Sequence, residues 1–167
     1  GLMDGSGANA RFKYPTGIAI DDKDHVYIAD TSNNAIRRID PAGNVSTIKP
    51  SAGEIKYPGY LKVLSNGDIL ISERNNHAIK KISLDNRVTI FAGQEANSGS
   101  ENGASNIAKF NSPKAMAIDS TGNLFVAENP TIRKIAANGE VSTVAGSGRL
   151  TGATEAKGST AKFYTPT

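Results

Sequence analysis

The sequence contains no cysteine, which excludes disulfides, thiolate metal sites and cysteine nucleophiles together. This leaves the compartment open, although cysteine-free chains are common among proteins that meet an oxidising exterior. No apolar run reaches the roughly 18 residues that a membrane-spanning helix needs, and the N-terminus lacks a secretory signal pattern. The expectation is a soluble mature chain or a piece of one, with any leader or lipid anchor lying upstream. Charge of one sign is also scarce: 19 basic residues stand against 16 acidic ones, for a net charge of +3 and a pI near 9.1. That balance permits weak attraction to anions and specifies no partner. What is present, 38% apolar and 21% charged residues in a chain of 167, is the composition of one ordinary folded domain.

Within that ordinary composition the chain repeats itself. A basic dyad between two isoleucines, "AIRRID" from Ala35, returns as "AIKKIS" from Ala78 and "TIRKIA" from Thr131. Around each dyad the same elements keep the same order, opening on Pro15, Pro58 and Pro113, with Pro166 starting the pattern again. These prolines are spaced by 43, 55 and 53 residues, and the extra length falls in Gly/Ser/Asn-rich stretches ahead of Phe110 and Phe163. Each repeat carries four short apolar runs separated by turn residues, which reads as four antiparallel strands. In the first repeat they cover about Gly17 to Asp21, Val26 to Asp30, Ala35 to Asp40 and Val45 to Ile48. The second strand, "VYIA", "ILIS" or "LFVA", is apolar on both faces and must be covered on both. Sheets stacked face to face around an axis provide that cover, so the pattern predicts a β-propeller.

The motif elements are Pro15 with Gly17 to Asp21, then Val26 to Asp30, then Asn33 to Arg37, and Val141 to Thr143 with Ala145 and Gly146. In these the chain resembles the NHL-repeat family, while the absence of tryptophan argues against tryptophan-aspartate repeats. The resemblance implies an all-β fold of propeller blades with four antiparallel strands each, about three blades being present as part of a six-bladed ring. Blade units are expected at about 12–50, 55–93 and 110–146, with a fourth starting at 161–167. Because closure takes about 4–8 blades, either a longer parent chain or a second copy is expected to supply the rest. The second repeat departs from the pattern with "LKVL", and the third shortens its second turn around Pro130.

The family resemblance implies a non-catalytic recognition or scaffold module. Its partner would be a protein or glycan, and the module is often part of a longer extracytoplasmic or surface protein, bacterial ones included. No cofactor or metal is expected. The alternative is an enzyme of lactonase or lyase type with a metal at the propeller axis. There the equivalent Asp21 and Asp119 would be hard-cation ligands, although Leu64 breaks the ring in the second repeat. RNA binding by a basic face is the third reading, and the lack of aromatics interleaved with the dyads speaks against it.

In an up-and-down blade the turns after the second strand share one end with the connections between blades, and loops there present a binding surface. The candidate binding residues are therefore Tyr14, Tyr57, Asn33, Asn34, Asn76, His77, Lys114 and Asn129. The competing structural role is that Asn fills left-handed turn positions and Tyr caps a strand. His25 and His77 fall at opposite blade ends and cannot share a metal. "DGSG" at Asp4 reads as a turn, "SGSENG" from Ser98 as a flexible loop, and Phe12, Phe110 and Phe163 as plugs pinning the connections.

The second strand ends in an acid, Asp30, Glu73 or Glu128, opposite or diagonal to the first residue of the dyad. Such a cross-strand pair contributes roughly 0.2–1 kcal/mol, so reversing the charge of Arg37 is expected to cost up to about 1 kcal/mol. Deleting residues 94–107 is expected to leave the blades folded.

Overall fold

The computed structural model of the chain describes residues 1–146 and 155–166. Turn chemistry cuts it into short strands. Asp21 makes the first turn by accepting the N–H groups of Lys23 and His25, both at 2.9 Å, while Asp24 takes the left-handed conformation at φ 60°. The first sheet contains β1 (Gly5–Ser6), β2 (Pro15–Ile20), β3 (Val26–Asp30), β4 (Ala35–Ile39) and β5 (Asn44–Ile48), in the order β1-β5-β4-β3-β2. The second contains β6 (Leu61–Val63), β7 (Ile69–Glu73), β8 (Ala78–Ile82) and β9 (Val88–Gly93) in sequence order. The third contains β10 (Gly103–Ala104), β11 (Met116–Ile118), β12 (Leu124–Ala127), β13 (Ile132–Ile135) and β14 (Glu140–Ala145), in the order β10-β14-β13-β12-β11.

Four antiparallel strands per repeat were expected and are found; the fifth strands were not. The outer strands β5 and β14 leave a row of unpaired backbone groups, and the segment ahead of each repeat fills it, pairing Gly5 with Val45 and Gly103 with Val141. "DGSG" is thus part of β1 rather than only a turn, and "SGSENG" runs directly into β10 rather than forming a free loop. Beside β9 the same job is done by a parallel bridge between Ala52 and Arg87.

Contacts divide the chain into two compact units, residues 1–73 with 80–89 and residues 74–79 with 90–167. In the first unit the core joins Ala29 and Ile36 to Leu61, Ile69, Ile71, Ile82 and Val88. β7 is buried along its whole length, as a strand apolar on both faces requires, and each buried Ile or Leu contributes about 1.5–3 kcal/mol. Gly17 explains its place in the motif: a Cβ there would run into the Gly59 carbonyl, so only glycine lets β2 lie this close to the second repeat. In the second unit Phe110, Val126, Ile135 and Val141 are buried.

Candidate functional site

Each blade closes on a buried ion pair. Arg37 Nη1 lies 3.0 Å from Asp30 Oδ2, Lys80 Nζ 3.4 Å from Glu73 Oε2 and Arg133 Nη1 2.9 Å from Glu128 Oε1. Asp30 faces Ala35 in the ladder, which puts Arg37 on the diagonal. The other carboxylate oxygen accepts a backbone N–H from the incoming chain, that of Lys13 at 2.7 Å, Lys56 at 2.6 Å and Asn111 at 2.7 Å. Arg37 also donates to the Arg11 and Met3 carbonyls, both at 2.8 Å, and Arg133 to those of Lys109 and Glu101, both at 2.9 Å. Phe12 and Phe110 stack on these guanidinium groups, 4.8 and 5.2 Å from the ring centres, so these two plugs act through cation–π contact.

Two expectations are corrected here. The Arg37–Asp30 pair is fully buried, so removing one partner strands a charge inside and costs roughly 3–5 kcal/mol, where up to about 1 kcal/mol was expected. The segment 94–107 supplies β10 and the Glu101 and Asn102 oxygens that Arg133 uses, and it is therefore part of the blade.

At the end carrying the connections, the first unit presents Tyr14 and Tyr57, 77% and 53% exposed. Both take the left-handed conformation, at φ 51° and 44°, immediately before Pro15 and Pro58, where that geometry is disfavoured. Asn34, itself left-handed at φ 52°, holds the second of them: its Oδ1 accepts the Tyr57 N–H at 2.8 Å. Asn33 donates to Asp30 Oδ2 at 2.7 Å and to the Gly1 carbonyl at 3.1 Å. Thr31, which the sequence did not single out, bonds Thr16 and the Pro58 carbonyl, both at 2.7 Å.

The second unit repeats the arrangement. His77, at φ 56°, accepts the Ser112 N–H on Nδ1 at 3.2 Å, filling the role of Asn34. Asn76 donates to Glu95 at 2.8 Å. The Asn129 carbonyl accepts from the Asn111 side chain at 2.9 Å, while its Oδ1 is enclosed without a hydrogen-bond partner. Lys114 is 6% exposed and makes no ion pair among the described residues. Burial, with the Arg74 charge adding to it, pulls its ammonium below the usual lysine range. Among the described residues, Tyr14, Tyr57 and Lys114 are thus not spent on side-chain hydrogen bonds, whereas Asn33, Asn34, Asn76 and His77 each hold backbone or a neighbouring side chain.

The opposite end carries the turns after the first strands. Asp21 Oδ2 faces His25 Nδ1 at 2.9 Å and accepts from Tyr27 OH at 3.1 Å. Burial raises its pKa, but hydrogen bonds from the His25 N–H and ring, the Lys23 N–H and Tyr27 outweigh that and bring it down to about 2. Asp119 accepts in the same way from Thr121 and Asn123, which holds it well below the usual carboxylate range. These acids, which the metal-enzyme alternative would make axial ligands, are turn caps, and no group of three or more His, Asp or Glu with metal-binding geometry occurs among the described residues. No helix among those residues is long and apolar enough to cross a membrane.

Repeated antiparallel sheets, each closed by the same internal ion pair, define an all-β protein made of β-propeller blades. The chain carries NHL-type repeats: residues 12–39 match the NHL repeat and residues 88–163 the teneurin NHL domain. Over 107 residues it is 34% identical to the NHL repeat-containing protein 2 of Bos taurus, covering 54% of this chain and 15% of that one. Over 162 residues it is 29% identical to teneurin-3 of Mus musculus, covering 83% of this chain and 6% of that one. The chain thus spans less than a sixth of these two relatives' length. The crystal structure of an auxiliary nutrient binding protein from Bacteroides ovatus superposes on 92% of this chain and 42% of its own, with a TM-score of 0.74 at 16% identity, which shows shared fold alone.

Proposed function

We propose that the chain is a non-catalytic recognition module that binds a protein or glycan through the end carrying the interblade connections, as part of a larger extracytoplasmic protein with further blades. The observation that carries this is the pair Tyr14 and Tyr57. Two large aromatic rings stand in solvent at equivalent places of successive blades, on backbone whose left-handed geometry works against folding. Exposed apolar bodies with a polar tip suit partner surfaces and sugar rings, and strain of this kind gathers where a site must be held ready.

The test is a glycan array and a panel of purified surface proteins probed with the wild type and with the double variant Tyr14→Ser, Tyr57→Ser. A ligand retained by the wild type should lose at least tenfold in affinity with the melting temperature unchanged. Undiminished binding by the double variant would overturn the reading.

A further inference from the structure

The second residue of the dyad has a different fate in the first two blades. In the second blade Lys81 lies 3.5 Å from Asp68 Oδ2. The place equivalent to Asp68 in the first blade is His25, and there Arg38 Nη2 lies 2.6 Å from His25 Nε2. His25 Nδ1 faces the Asp21 carboxylate, and because a guanidinium can only donate, Nε2 is the acceptor for Arg38. Arg38 is thus positioned by the His25 ring and makes no ion pair among the described residues, while Asp21 is occupied by its own turn, His25 and Tyr27.

This guanidinium lines two cavities of the first unit, of about 400 and 320 Å³. They adjoin at Tyr27, Arg38, Gly67 and Leu84, which line both. The larger brings Lys49, Ser46 and Asn86 together with Ile69 and Ile82, and Leu84 stands 76% exposed beside it. Its volume falls within the roughly 300–1,000 Å³ of small-molecule sites. The lining combines two cations, hydroxyl and amide groups, a phenol ring and aliphatic walls. A carboxylate matches the arginine fork, and a polyhydroxylated ring has both the hydrogen-bonding groups and the apolar C–H faces that the remaining lining takes.

We propose that this cleft binds an acidic sugar of the uronate type, its carboxylate on Arg38 and Lys49 and its ring against Tyr27 and Leu84. Neither Tyr14 nor Tyr57 lines this cleft, and the site does not depend on them.

The experiment is an amide NMR titration of the protein at low salt with D-glucuronate, D-glucose and inorganic phosphate in parallel. Glucuronate should shift signals around Arg38 and Leu84, D-glucose should not, and phosphate should bind more weakly. Arg38→Gln and Lys49→Gln should each weaken glucuronate at least threefold; Lys49 is exposed, so its variant reads the site even where Arg38→Gln destabilises the blade. The Tyr14→Ser, Tyr57→Ser variant should bind glucuronate unchanged. No shift with glucuronate, or full binding in Lys49→Gln, would overturn the proposal. Phosphate binding as tightly as glucuronate would overturn the sugar assignment by showing that the cleft reads charge alone.

Discussion

Asn34 in the second turn of the first blade accepts the backbone N–H of Tyr57 through its side-chain oxygen at 2.8 Å. One residue therefore does two jobs, adopting the left-handed turn position and fixing the start of the next blade. Asn34→Ala should lose both and cost about 1–3 kcal/mol. Asn34→Gly keeps the turn, loses only the acceptor and should cost less. His77→Asn should be tolerated, because His77 does for Ser112 what Asn34 does for Tyr57. Urea denaturation of the three variants checks this; equal losses in Ala and Gly would remove the turn from the account.

The buried pair of the first blade predicts a non-additive cycle. Arg37→Met leaves Asp30 charged and enclosed and should cost roughly 3–5 kcal/mol. Adding Asp30→Asn should restore part of that, since the stranded charge is gone. Independent, additive losses would mean that the two side chains do not act as a pair.

Deleting residues 94–107 removes β10 and two oxygens that bind Arg133. The third blade should lose amide-exchange protection along β13 and β14. Removing only residues 95–98 spares Glu101, Asn102 and β10 and should leave that protection in place.

Asp21 binds its proton more weakly folded, with a pKa of about 2, than the roughly 3.9 of an unfolded chain. As pH falls from about 4 toward 2 the unfolded chain takes up protons first, so the stability this group adds at neutral pH is lost over that window. Asp21→Asn should start from lower stability at pH 7 and show a flatter acid limb. A limb of wild-type steepness would show that other carboxylates set it.

Tyr14 and Tyr57 were legible as candidates because a residue beside the repeating proline falls at the connection end of any up-and-down blade. Arg38 was visible only as half of a dyad. What distinguishes it is its neighbour His25, which stands 13 residues away in the chain and where the second blade has Asp68. Lys114 gave no sequence sign of its burial, because burial depends on what packs over a side chain.

The sequence by itself determined the repeat, the four strands and their turns, and the diagonal pairing of acid with base. All of these are local, set by a period of two along strands and by residues that tolerate left-handed turns. Only the tertiary structure decided that the first charge of each dyad lies inside, that the connecting segments add fifth strands to β5 and β14, and that Arg38 faces a cleft beside a histidine. Each of these depends on which groups fold over the blade from more than a dozen residues away. Periodicity does not record that, because an exposed and a buried arginine are spelled alike.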